Sequence, residues 1–114
     1  MTTNEFINKC KNSGKFDDYQ MEEICEGLEN GLTIKQVKLF TNPKFKYDKM
    51  FEIRLGLENG LSMEQVNIYA QPEFNGTQMN QIRFGFEIGL TTEKIKVYAD
   101  PKFSGSKCHK FVNL

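Results

Sequence analysis

The chain of 114 residues has no tryptophan, one histidine, three prolines and three cysteines. Each shortage excludes something. The cysteines, Cys10, Cys25 and Cys108, are odd in number and share no spacing with one another, so a disulfide framework is not expected and a reducing compartment is the default. A single histidine with three scattered cysteines supplies no zinc-ligand spacing. There is no glycine-rich phosphate loop, and Asp17 and Asp18 belong to no calcium-loop pattern. No run of about 18 apolar residues is available to span a membrane, and Met1-Thr-Thr-Asn-Glu has none of the basic and then apolar character of a signal peptide. Charge of one sign is also lacking: 15 basic side chains balance 15 acidic ones, so no global field favours nucleic acid or an anionic bilayer.

What is abundant is self-similarity. Phe16, Phe45, Phe74 and Phe103 are each 29 residues apart, as are Met21, Met50, Met79 and Cys108. Leu32, Leu61 and Leu90 keep the same interval of 29, and so do Val37, Val66 and Ile95, Phe40, Tyr69 and Tyr98, and Pro43, Pro72 and Pro101. Such a period marks an array of supersecondary units, each too small to bury its own apolar face. The fold class expected is all-α, a short α-solenoid of stacked αα hairpins in one domain. Residues 1–15 form an N-terminal capping helix, 16–44, 45–73 and 74–102 are the three repeats, and 103–114 are a C-terminal half repeat.

Each unit reads as two helices. Helix A follows the repeated phenylalanine, with Asp17, Asn75 and Ser104 as N-caps whose side-chain oxygens accept from first-turn amides. Lys46 is a poor cap, so helix A of the second unit is expected to start later, at Asp48. Phe16 with Met21, Phe45 with Met50 and Phe74 with Met79 are staple pairs, and Met21, Ile24 and Leu28 share a face at helical spacing. Gly31 closes the helix at a position that needs positive φ. Helix B has N-caps Thr33, Ser62 and Thr91. Gln36 and Gln65 complete capping boxes, Lys94 does not, and Pro43, Pro72 and Pro101 are expected to stop the helix. Helix A spans about 13 residues and helix B about 8, too short to stand alone, so stacking must hold them. Gly27, Gly56 and Gly85 inside helix A each cost about 1 kcal/mol against alanine, which argues for close backbone approach by a neighbouring helix.

The consensus, F-x-x-x-Q-M-x-x-I-R-x-G-L-E-N-G-L-(S/T)-x-x-Q-V-x-x-Y-A-x-P, resembles repeats of small proteins from phages and other mobile elements of gut Firmicutes. The resemblance covers residues 16–111. It implies a free-standing protein acting in the cytoplasm of a bacterial host, of the kind that blocks host defences, anti-CRISPR proteins among them. It brings no catalytic motif and no cofactor.

Enzyme signals are weak. Cys108 and His109 are sequence neighbours, and adjacent residues of a helix point about 100° apart, so they do not converge as a dyad. A nucleic-acid reading rests on Met50 to Ala70, which resembles the first two helices of a helix-turn-helix. The charges oppose it: helix A of the first unit carries Asp17, Asp18, Glu22, Glu23, Glu26 and Glu29 and no base. A helical-repeat nucleic-acid binder or small transcriptional regulator is the alternative reading.

The informative positions vary while the scaffold repeats. On helix A they are Tyr19, Glu22, Glu23, Glu26 and Asn30, then Asp48, Phe51, Glu52, Leu55 and Asn59, then Thr77, Asn80, Gln81, Phe84 and Ile88. The face grades from acidic to apolar along the array. Phe51, Leu55, Phe84 and Ile88 are either inter-unit core or a contact surface, and Glu22, Glu23 and Glu26 form an acidic stripe that is either a solvated face or a decoy for the nucleic-acid groove of a target protein. The function expected is a non-enzymatic module that binds another protein through these seven residues, with self-association as a second use of the same face.

Overall fold

The computed structural model describes residues 1–102 and consists, over that range, of seven helices and no strand. The half repeat at 103–114, the cap Ser104 and the Cys108–His109 pair lie outside the described residues. Helix α1 is Thr3–Asn12. The A helices are α2 (Asp18–Glu29), α4 (Tyr47–Glu58) and α6 (Gly76–Glu87), and the B helices are α3 (Ile34–Val37), α5 (Met63–Tyr69) and α7 (Thr92–Tyr98). Helix α1 packs on α2, α2 on α4 and α4 on α6. Each A helix also packs on the B helix that follows it, and α5 touches α6. No helix is long and apolar enough to cross a membrane among the described residues.

The caps explain the boundaries. Asp17, Thr33, Ser62 and Asn75 each accept from the amide three residues on and receive the reciprocal glutamine, and Thr91 caps alone because Lys94 cannot reciprocate. Lys46 makes no side-chain cap, yet α4 begins at Tyr47 rather than at Asp48. The backbone keeps the repeat register: Met50 N–H donates to Lys46 C=O at 3.0 Å, as Met21 does to Asp17 at 2.9 Å. Each A helix ends in a Schellman turn. Leu32, Leu61 and Leu90 donate back to Gly27, Gly56 and Gly85, across Gly31, Gly60 and Gly89 at φ +97°, +94° and +92°.

The B helices stop earlier than their prolines require. Ala70 and Ala99 have φ/ψ of −77°/61° and −79°/69°, and Gln71 and Asp100 donate to Tyr69 and Tyr98 at 2.8 Å: inverse γ-turns end the helices. Pro43 then occupies the second position of a turn closed by Phe45 N–H to Asn42 C=O at 2.9 Å, and Pro72 the same place before Phe74. Helix α3 has four residues where α5 and α7 have seven. Thr41 replaces alanine there, and its hydroxyl donates to Val37 C=O at 2.8 Å, while Leu39 and Phe40 tighten into i→i+3 bonds.

The core is the repeated set. Ile24, Val37, Phe40, Met50, Ile53, Val66, Tyr69, Met79, Ile82 and Ile95 are fully buried. The mid-helix glycines do admit a close neighbour, but it is a ring and not a backbone. A methyl group on Gly56 would overlap Tyr69 Oη, and one on Gly85 would overlap Tyr98 Oη. Without a Cβ on α4, the Tyr69 hydroxyl reaches Glu52 C=O and donates to it at 2.8 Å.

Burial pushes the Tyr69 phenol well above the ordinary tyrosine range; Glu52 and Glu87 add to the push and Arg83 opposes it. The folded state therefore keeps this proton at a pH where the unfolded chain has lost it. The stability involved is complete below the unfolded value of about 10 and is lost as pH rises above it. Unfolding free energies from urea titrations between pH 8 and pH 11 should fall more steeply for the wild type than for Tyr69→Phe, the difference in slope approaching about 1.4 kcal/mol per pH unit above pH 10. Equal slopes would show that the phenol is not held protonated.

Candidate functional site: the face of the A helices

The seven residues expected to contact a partner lie on α2, α4 and α6, and the structure divides them. Glu22 and Glu26 are exposed. Phe51, Phe84 and Ile88 are 38%, 41% and 52% exposed, so they are surface and not inter-unit core. Leu55 is half-buried. Glu23 is not part of a solvated stripe. Its carboxylate meets Arg54 Nε at 2.7 Å, and their side chains are 12% and 6% exposed.

Arg54 is the residue that organises this face. It bridges Glu23 of the preceding unit, Glu58 one turn further along α4 at 3.0 Å, and Glu26 at 3.6 Å, while its guanidinium carbon stands 5.3 Å from the centroid of the Phe51 ring. Burial works against its charge, but the hydrogen bonds to Glu23 and Glu58 prevail and hold its pKa above the ordinary arginine value. The next unit repeats the ladder: Arg83 Nε bonds Glu52 at 3.0 Å and its NH1 bonds Glu87. Asn30 and Asn59 complete it by donating to Glu58 and Glu87 at 3.1 and 2.9 Å. The contact between neighbouring A helices thus includes a ladder of ion pairs.

The sequence reading passed over this ladder. Arg54 and Arg83 are 29 apart, as are Glu23 and Glu52, and Glu58 and Glu87, so the signal was present. A residue and its partner 31 positions away come together only in the folded chain. A second inter-unit link is also polar. Gln20 Nε2 donates to Phe45 C=O at 2.8 Å and Gln78 Nε2 to Pro101 C=O at 2.9 Å, while Lys49 Nζ takes the equivalent role on Pro72 C=O at 3.0 Å.

Between α4 and α6 the face opens into a groove of about 640 Å3. Asp48, Phe51, Thr77 and Asn80 line it. Asp48 does not mark the start of α4 as expected. Its carboxylate lies against the first residue of α6, where a Cβ on Gly76 would stand 3.0 Å from Oδ2. Helix α6 has no acidic residue in its own first turn, so Asp48 supplies one from the neighbouring unit. Elsewhere on the surface, the exposed rings of Tyr19 on α2 and Tyr47 on α4 pack with centroids 5.4 Å apart.

Among the described residues no cluster of three or more potential metal ligands occurs. Comparison with family models, with curated proteins and with solved structures finds no match.

Proposed function

We propose that this protein is a non-enzymatic α-solenoid whose A-helix face binds another protein. One observation carries the reading: Phe51, Phe84 and Ile88 stand exposed on consecutive A helices, beside the exposed carboxylates of Glu22, Glu26 and Asp48. Apolar side chains bare to water on one face and rimmed by charge suit a contact surface. Helices that pack in series, and principal extents of 45 × 23 × 15 Å, suit a linear array of the expected units. The complementary partner presents basic side chains to the acidic end and apolar ones to Phe84 and Ile88. The more specific form, a mobile-element inhibitor of a host defence complex, rests on the likeness of the repeats.

The bases on this face favour a protein over nucleic acid as partner. Arg54 and Arg83 are engaged by glutamates, and Lys49 by a backbone carbonyl, so they are poorly placed to neutralise phosphates. The test is Phe84→Glu combined with Ile88→Lys. Both sites are exposed, so helicity and thermal midpoint should stay close to wild type. A photo-crosslinker at position 84 should capture a host protein that the same group at the exposed Asn67 does not, and the double variant should lose that protein from pull-downs. Retarded migration of DNA or RNA with no protein captured would overturn the proposal.

A further inference from the structure

A second hollow, of about 330 Å3, opens at the N-terminal end between α1 and the segment that follows α3. It shares no residue with the A-helix face. Its floor is apolar: Phe6 and Cys10 of α1 are buried, and Phe16 and Pro43 close the sides. Burial pushes the Cys10 thiol up, with Lys9 opposing and Cys25 adding, so the floor carries no charge at neutral pH.

Three exposed lysines, Lys9, Lys15 and Lys38, line the same hollow, and none of them forms an ion pair among the described residues. Lys9 lies in the last turn of α1 and Lys38 caps the end of α3, places where a helix terminus favours a cation. That accounts for two positions but provides no counter-charge, and Lys15 is outside any helix. The two hydroxyls in the lining are already used as donors. Ser13 Oγ donates to Cys10 C=O at 2.6 Å and Thr41 Oγ1 to Val37 C=O at 2.8 Å. Side-chain donors for a guest's head group therefore come from the ammoniums, which select an anion.

We propose that this hollow binds a small amphipathic anion, a medium-chain or aromatic carboxylate. Its apolar body lies on Phe6, Cys10 and Phe16, and its head group meets Lys9, Lys15 and Lys38. The volume is near the lower end for small-molecule sites, which suits a body of about ten carbon atoms.

The test titrates the full chain, below the micelle concentration, with decanoate, 1-decanol or acetate, following backbone amide shifts and the thermal midpoint. Decanoate should shift the amides of α1 and of residues 38–42 saturably and raise the midpoint. Decanol (the body without the charge) and acetate (the charge without the body) should each bind at least about tenfold more weakly. Lys9→Gln with Lys38→Gln should keep the unliganded midpoint and weaken decanoate by about tenfold. Decanol binding as tightly as decanoate, unchanged affinity in the lysine variant, or shifts confined to α4 and α6 would each overturn the proposal.

Discussion

Gly56→Ala is expected to destabilise the protein by about 3 kcal/mol, although alanine is the better helix former by about 1 kcal/mol. The added methyl overlaps Tyr69 Oη, which is buried and cannot move without giving up its bond to Glu52 C=O. Overpacking and the loss of a buried hydrogen bond each cost about 1–3 kcal/mol, and both exceed the propensity gain. The thermal midpoint should drop by roughly 15 °C. Gly85→Ala should cost more, because its methyl also meets Ile95 Cδ1 at 2.6 Å. The decisive measurement is the same substitution in a Tyr69→Phe background. With the hydroxyl gone, the remaining neighbours of the new Cβ are Leu61 Cδ1 at 3.3 Å and the ring carbon at 3.4 Å. Gly56→Ala should then cost under about 1 kcal/mol, a coupling far outside additivity. In the first unit the ring that faces Gly27, Phe40, has no hydroxyl and still comes to 2.9 Å from an added Cβ, so there the ring carbon itself makes the close approach. If Gly56→Ala is as harmful beside phenylalanine as beside tyrosine, the close approach is not made by the hydroxyl.

Arg54→Met should cost about 3 kcal/mol, mostly through what it leaves behind. Glu23 and Glu58, 12% and 16% exposed, would lose the guanidinium that bridges them. Adding Glu23→Gln and Glu58→Gln should recover most of the loss, since neutral groups in the same places do not need the cation. Arg54→Lys should fall between, because one ammonium cannot meet Glu23 through Nε and Glu58 through NH1 at once. Because the charges are shielded from solvent, the wild-type denaturation midpoint should change little as sodium chloride is raised. Strong salt dependence, or no rescue by the glutamines, would show that the ladder is a surface decoration.

The seven expected contact residues show how far a one-dimensional pattern reaches. Phe84 and Ile88 were singled out because they break an acidic and polar series at fixed positions, and they are exposed. Glu23 was grouped with Glu22 and Glu26 because all three are acids on one helix. Only the neighbour across the interface separates them: Arg54 withdraws Glu23 from the surface, while Glu22 stays in solvent. Asp48 was expected to start a helix of its own and instead serves the next one. For Glu23 and Asp48 the deciding contact is with a residue about 30 positions away, which no local spacing reveals.

By itself, then, the sequence determined the local half of this protein. The caps, the Schellman glycines and the buried apolar stripe follow from backbone valences and helical periodicity, which act within a few residues. The tertiary structure decided what lies between the units: an ionic ladder where A helices meet, a phenol filling the space of a missing Cβ, and which apolar residues stay in water. These depend on side chains that meet only in the folded chain, where desolvation makes an unpaired charge or a misplaced methyl costly.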